Sequence, residues 1–180
     1  MPGALQAGAC RNLHHLNIDE RLPEDKVGLI ARAMHPNGGL LFGAGWGLRK
    51  LLNWIDRRYG RPPIYVTENG WSTPGGEDVA AAVADSGRVA FYANYTSEMQ
   101  RAINEDGVDV RGYFAWSLMD NFEWERGYSE RFGLVYTDFA TQERHIKASG
   151  RWYSAAMEAN RVVDPCPFLA TPEARGAARC

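Results

Sequence analysis

Between residues 46 and 59 the apolar side chains Leu48, Leu51, Leu52, Ile55 and Tyr59 recur at the spacing of one helix face, and Gly60 stands where a helix ends. Pro62 and Pro63 then block helix, and the run Ile64-Tyr65-Val66-Thr67 has the β-branched and aromatic make-up of a strand. Residues 72–78 read as a loop. Asp85 or Ser86 can cap a second helix that carries Tyr92, Tyr95, Thr96, Met99 and Ile103 on one face, and Asp106-Gly107 stops it. Residues 108–117 form a second strand, with Tyr113-Phe114-Ala115-Trp116 apolar on both faces, as in a parallel sheet covered by helices. A loop rich in aromatic and charged residues follows (118–131). Then come a short strand within 132–139 and a third helix over 147–161, with Tyr153, Ala156 and Met157 inward. Elements alternating at this length predict an α/β fold of β/α units with parallel strands.

The two ends differ from this middle. Residues 1–40 hold no sustained period, because Pro23, Pro36 and Asn37-Gly38-Gly39 interrupt it, although a short helix fits residues 25–34. Residues 164–180 contain Pro165, Pro167 and Pro172 among small and charged residues, which predicts a disordered tail. The organisation expected is therefore 1–40, then a folded portion over 41–163, then the tail.

Composition narrows the function classes. A net charge of −2 gives no electrostatic case for nucleic acid or an anionic membrane surface. No apolar run is long enough to span a bilayer, and the first 13 residues lack the layout of a signal peptide. A cytoplasmic compartment is the expectation. Cys10, Cys166 and Cys180 are far apart and odd in number, so they support neither a zinc site nor a disulfide framework and read as incidental thiols. His14, His15, His35 and His145 show no ligand spacing. No metal or cofactor is expected. Trp46, Trp54 and Trp152 lie in helical patterns and read as core.

The candidate chemistry lies at two strand ends, where α/β folds place ligands. The first is Thr67-Glu68-Asn69-Gly70. Asn69-Gly70 suits a tight hairpin turn that Glu68 would merely flank. No second strand follows it, which leaves Glu68 as a carboxylate at a strand-to-loop junction. The second is the segment after Ala115. There Asp120, Glu123 and Glu125 lie among Trp116, Phe122 and Trp124. Carboxylates beside aromatic rings suit sugars, whose hydroxyls donate to the acids while indoles cover the C–H faces. A charged surface loop anchored by two tryptophans is the alternative.

These motifs resemble glycoside hydrolase family 1, the β-glucosidase, lactase and myrosinase family. Ile64-Tyr65-Val66-Thr67-Glu68-Asn69-Gly70 is similar to its nucleophile motif. Gly112-Tyr113-Phe114-Ala115-Trp116-Ser117-Leu118-Met119-Asp120-Asn121-Phe122-Glu123-Trp124 is similar to its sugar-binding segment. The similarity continues through Gly127-Tyr128, Arg131-Phe132-Gly133-Leu134, Lys147-Ala148-Ser149 and Arg151-Trp152-Tyr153, and Trp46-Gly47-Leu48-Arg49-Lys50-Leu51-Leu52 precedes it. The resemblance implies the C-terminal part of a (β/α)8 TIM barrel, about the last two β/α units. It implies an enzyme, a retaining β-glycosidase acting on β-glucosides. Glu68 would be the nucleophile, with Asn69 and Ser117 in support. Glu123 would accept hydrogen bonds from sugar hydroxyls, Trp124 would donate one, and Trp116 would stack under the ring. A carboxylate at Glu123 suits an unphosphorylated sugar.

Retaining hydrolysis also needs an acid/base carboxyl, which the family carries in an Asn-Glu-Pro motif. None occurs here, and Asn104-Glu105-Asp106 sits at a helix end without Pro. A complete barrel typically needs about 250 residues. The chain therefore reads as the end of a barrel whose N-terminal portion would come as a partner, and alone it is expected to be inactive and to expose unpaired strand edges. The alternative is a non-catalytic relative that binds carbohydrate or a partner.

Overall fold

The computed structural model describes residues 44–76 and 78–170. The helix expected within 25–34 lies outside the described residues, as do segments 1–40 and 171–180.

Helix α1 (Gly45–Arg58) turns Leu48, Leu52 and Ile55 inward. Leu51 lies at the margin of that stripe, and Tyr59 is the C-cap residue, already off the helical path. Both are more than half exposed, unlike the sequence expectation. Trp54, expected in the core, is 50% exposed on the opposite face and meets Tyr59 edge-on at 5.9 Å. Strand β1 (Ile64–Asn69) follows, then a two-residue strand β2 (Thr73–Pro74) and a short helix α2 (Val79–Val83). Asp78 caps α2 by accepting from the Ala81 N–H at 3.0 Å. Helix α3 (Ser86–Asn104) ends before Gly107, whose φ of +72° reverses the chain at low steric cost. Strand β3 (Val110–Ala115) is followed by a 3-10 turn at Trp124–Arg126, then β4 (Glu130–Arg131), β5 (Val135–Thr137) and β6 (Arg144–Ile146). Helix α4 (Ala148–Ala159) stops at Asn160 in the left-handed conformation. Within it Met157, expected inward, is 59% exposed.

β1 and β3 pair in parallel, while β2 pairs antiparallel with β4 and β5 with β6. Two apolar clusters lie on one side of the parallel pair. One joins Leu52 of α1 and Ala102 of α3 to Ile64 and Val108, with Val66 and Val110 packed against it. The other centres on Tyr92, Leu134 and Trp152, and includes Leu169 at 2% exposure. Leu169 and a 3-10 turn at Cys166–Phe168 thus belong to the packed structure, within the stretch read from sequence as a tail. Cys166 is disulfide-bonded, which corrects the reading of it as an incidental thiol. The opposite side of the sheet is open. Tyr65 and Phe114 are exposed there by 55% and 57%, so β3 is covered on one face, not on both. The helices of the described residues pack only on the other side.

Candidate active site

A change of parity in β1 decides where Glu68 points. Side chains alternate along a strand, so Val66, packed toward the helices, would send Thr67 outward and Glu68 back inward. The pairing register prevents this. Val66 faces Tyr113 and Asn69 faces Ala115, so two β1 residues lie opposite the single residue Phe114. That bulge inserts one extra residue and returns Asn69 to the helix side, where its Oδ1 accepts from the Tyr113 hydroxyl at 2.6 Å. Glu68, just before it, is exposed with Thr67. On β3, Ala115 packs against the helix-side core. Trp116, the next residue, lies just past the end of β3 and is half-buried.

The two strand ends touch through their backbones. The Trp116 N–H donates to the Asn69 carbonyl at 2.8 Å. A Cβ built on Gly70 would fall 1.9 Å from the Trp116 carbonyl oxygen, so only glycine allows this approach. The Tyr92 hydroxyl donates to the same oxygen at 3.0 Å. The peptide bond between Trp116 and Ser117 is cis. Because β1 pairs with β3 and not with a following strand, Asn69-Gly70 is not a hairpin turn.

The segment after Trp116 is held from within. Ser117 is buried and donates to the Met119 carbonyl at 2.9 Å, while the Asn121 amide donates to the Ser117 hydroxyl at 3.1 Å. A tight turn returns the chain at Gly127, with the Glu123 N–H donating to the Gly127 carbonyl at 2.8 Å. Trp124 sits in this turn at φ 47°, a left-handed conformation that is costly for a bulky residue, and its side chain is 81% exposed. Glu123 is only 8% exposed, and its Oε1 is buried with no hydrogen-bond partner among the described residues. Burial pushes its carboxyl above the usual range. Hydrogen bonding from Trp116 and Asn121 pulls the other way, and the charges of Asp120 and Glu130 push it up further. An unsatisfied buried acceptor is uncommon in a protein interior and is a ready place for a ligand hydroxyl.

A buried ionic frame supports both segments, and sequence reasoning missed it. Asp120 accepts from Arg131 Nη1 at 2.9 Å, from Lys147 Nζ at 2.8 Å and from the Gly133 N–H at 2.9 Å. The Arg131 guanidinium also lies over the Tyr136 ring, 4.4 Å from its centroid. Burial, then the Arg88 charge, lowers the Lys147 ammonium to about 8 against the pull of Asp120. Asp85 does not act as a side-chain cap for α3. Its carboxylate instead accepts from the Ser149 N–H at 2.8 Å and the Ser149 hydroxyl at 2.6 Å, and pairs with Arg88. The signal for this frame lay in the charged residues of the motifs, but nothing local marked them as buried. The described residues contain no cluster of His, Cys, Asp and Glu suited to a metal, and none of their helices is long and apolar enough to cross a membrane.

Comparison with known proteins places the chain in a family. The model of glycosyl hydrolase family 1 matches residues 33–162. β-Glucosidase 4 of Oryza sativa subsp. japonica is 50% identical over 117 residues, covering 63% of this chain and 24% of that protein. β-Glucosidase 1B of Phanerodontia chrysosporium is 46% identical over 130 residues, covering 71% of this chain and 24% of that protein. A crystal structure of a family 1 β-glucosidase from the fungus Humicola insolens, in complex with glucose, superposes with a TM-score of 0.65 at 42% identity. The match covers 69% of this chain and 26% of that one. The chain thus spans about a quarter of the length of the relatives it matches. Its fold is part of their (β/α)8 barrel, and the described residues form no closed sheet. By its motifs, its matched residues and its superposition, the chain belongs to glycosyl hydrolase family 1.

Proposed function

We propose that these residues form the nucleophile and sugar-binding side of a retaining β-glucosidase. Glu68 attacks the anomeric carbon of a β-glucoside and forms a covalent glycosyl-enzyme as the aglycone oxygen leaves with a proton. Trp116 offers an indole face to the ring. Glu123, with its unpartnered oxygen, accepts from sugar hydroxyls, and the exposed Trp124 donates through its N–H. Asn69 and Ser117 hold the backbone on which these groups stand. The observation that supports the reading is the β1 bulge, beside which Glu68 stands exposed at the strand end next to the start of the Trp116 segment. A second carboxyl, acting as acid and then base about 5–5.5 Å from the nucleophile, completes the chemistry. It belongs to the barrel portion that the relatives have beyond the matched quarter, and that portion covers the open face bearing Tyr65 and Phe114. The neutral substrate fits Glu123, since a buried carboxylate repels a phosphorylated sugar.

The test is to incubate the folded chain with a 2-deoxy-2-fluoro-β-glucoside bearing a good leaving group, which needs no acid assistance. Addition of one fluorosugar mass at Glu68, absent in Glu68→Gln, is the expected result. No mass increment removes the nucleophile assignment. Sugar retention without a covalent adduct would instead mark a non-catalytic carbohydrate-binding relative.

A further inference from the structure

We propose that Arg88 is a positioning residue of the sugar site, locking the segment after Glu68 to the segment after Glu123. The inference rests on the roles given to those two carboxylates above. Arg88 lies in α3 and is fully buried. Its Nη1 pairs with Asp85 at the start of the same helix, which already supplies the buried cation with a counter-charge. Its other bonds leave the helix. Nε donates to the Trp71 carbonyl at 2.9 Å. Nη2 donates to the Thr73 hydroxyl at 3.0 Å and to the Arg131 carbonyl at 2.7 Å.

Those acceptors belong to two distant stretches of chain. Trp71 and Thr73 follow Glu68 closely, while Arg131 closes the loop that carries Glu123. Thr73 and Arg131 are partners in the short β2–β4 ribbon, so Arg88 grips that ribbon across its width. A ribbon of two residues per strand has little stability of its own. The planar guanidinium, with donors fixed in one fork, suits three acceptors at set angles in a way that an ammonium does not. The frame then continues to the sugar side, because the Arg131 side chain holds Asp120, three residues before Glu123.

Asp85 has a separable task. It ties α3 to the start of α4 through Ser149, so removing the Ser149 hydroxyl loosens α4 and leaves the Arg88 bonds to the rim intact. This asymmetry allows a merely structural role to be told from a positioning one.

Hydrogen exchange read by mass spectrometry on the full chain is compared for wild type, Arg88→Lys, Thr73→Val and Ser149→Ala. In Arg88→Lys, amides of residues 70–74 and 117–131 exchange about tenfold faster together, and α1 is unchanged. Thr73→Val, which keeps the Asp85–Arg88 pair, shows the same two-segment pattern at smaller size and decides the matter if Arg88→Lys does not fold. Ser149→Ala speeds exchange only at the start of α4. A change in one segment alone, in neither, or uniformly along the chain overturns the proposal. The rate of fluorosugar labelling at Glu68 falls about tenfold to a hundredfold in Arg88→Lys, the size expected of a small misplacement. Coupled exchange with an unchanged labelling rate also overturns it. A wild-type chain that is never labelled removes the nucleophile assignment alone, and the exchange pattern still decides whether Arg88 joins the two segments.

Discussion

The Trp116 N–H donates to the Asn69 carbonyl, 2.8 Å away, where the two parallel strands end side by side. Each of these residues is the immediate neighbour of a group with a proposed role or holds that role itself, so the level of the rim is set by main-chain contacts. The Tyr113 hydroxyl, on the Asn69 side chain at 2.6 Å, then fixes which face Asn69 takes. Glu68 is left on the other.

That close approach makes Gly70 intolerant of any side chain. Gly70→Ala would place its Cβ 1.9 Å from a backbone oxygen, which the chain can relieve only by moving β1 away from β3. We expect a loss of several kcal/mol, about the upper range of single substitutions, read as a drop in thermal midpoint. Gly87→Ala is the control. It lies in α3, where an added Cβ meets nothing within 4 Å, and it should stabilise the chain by about 0.5–1 kcal/mol. Equal midpoints for the two variants would contradict the backbone contact.

Glu123 is held at a cost to stability. Its carboxyl titrates above the usual range because burial disfavours the charged form. As pH rises through the gap between the ordinary and the raised value, the folded chain keeps a proton that the unfolded chain has released, so stability falls across that window. Glu123→Gln removes the effect. The variant should melt above wild type at pH 7 and close to it at pH 4, while losing sugar affinity. A variant that is less stable than wild type at pH 7 would show that the buried acid is satisfied in solution.

Lys147 gives the opposite slope. Its ammonium, lowered to about 8, loses its proton in the folded chain while the unfolded chain still holds one. From about pH 8 up to the ordinary lysine value near 10.4, this group makes stability rise with pH. Denaturant unfolding of wild type and Lys147→Met at pH 7.5 and 9.5 checks it. The stability of wild type relative to the variant should increase at the higher pH. A decrease would mean that the ion pair with Asp120, 2.8 Å away, outweighs burial.

The regular elements were legible because each carries a period long enough to read. The α1 stripe of Leu48, Leu52 and Ile55 and the α3 face around Tyr92 appear where the spacing predicts, and the β-rich run 64–67 opens the strand that continues to Asn69. The strands β2, β4 and β6 were not legible, since two or three residues hold no period and such strands exist only through their partners. Motif resemblance likewise named Glu68, Trp116, Glu123 and Trp124 as the residues to watch.

What the chain's own order of residues determined was the set of local choices: helix faces, breaks at Gly60 and Gly107, and which acids and indoles stand at strand ends. Alternation along β1 taken by itself sends Glu68 toward the helices. Only the pairing with β3 adds the extra residue that turns it outward. Only folding, too, brings Asp85, Arg88, Asp120, Arg131 and Lys147 into one interior frame, because a charge is buried or solvated according to partners that lie far along the chain.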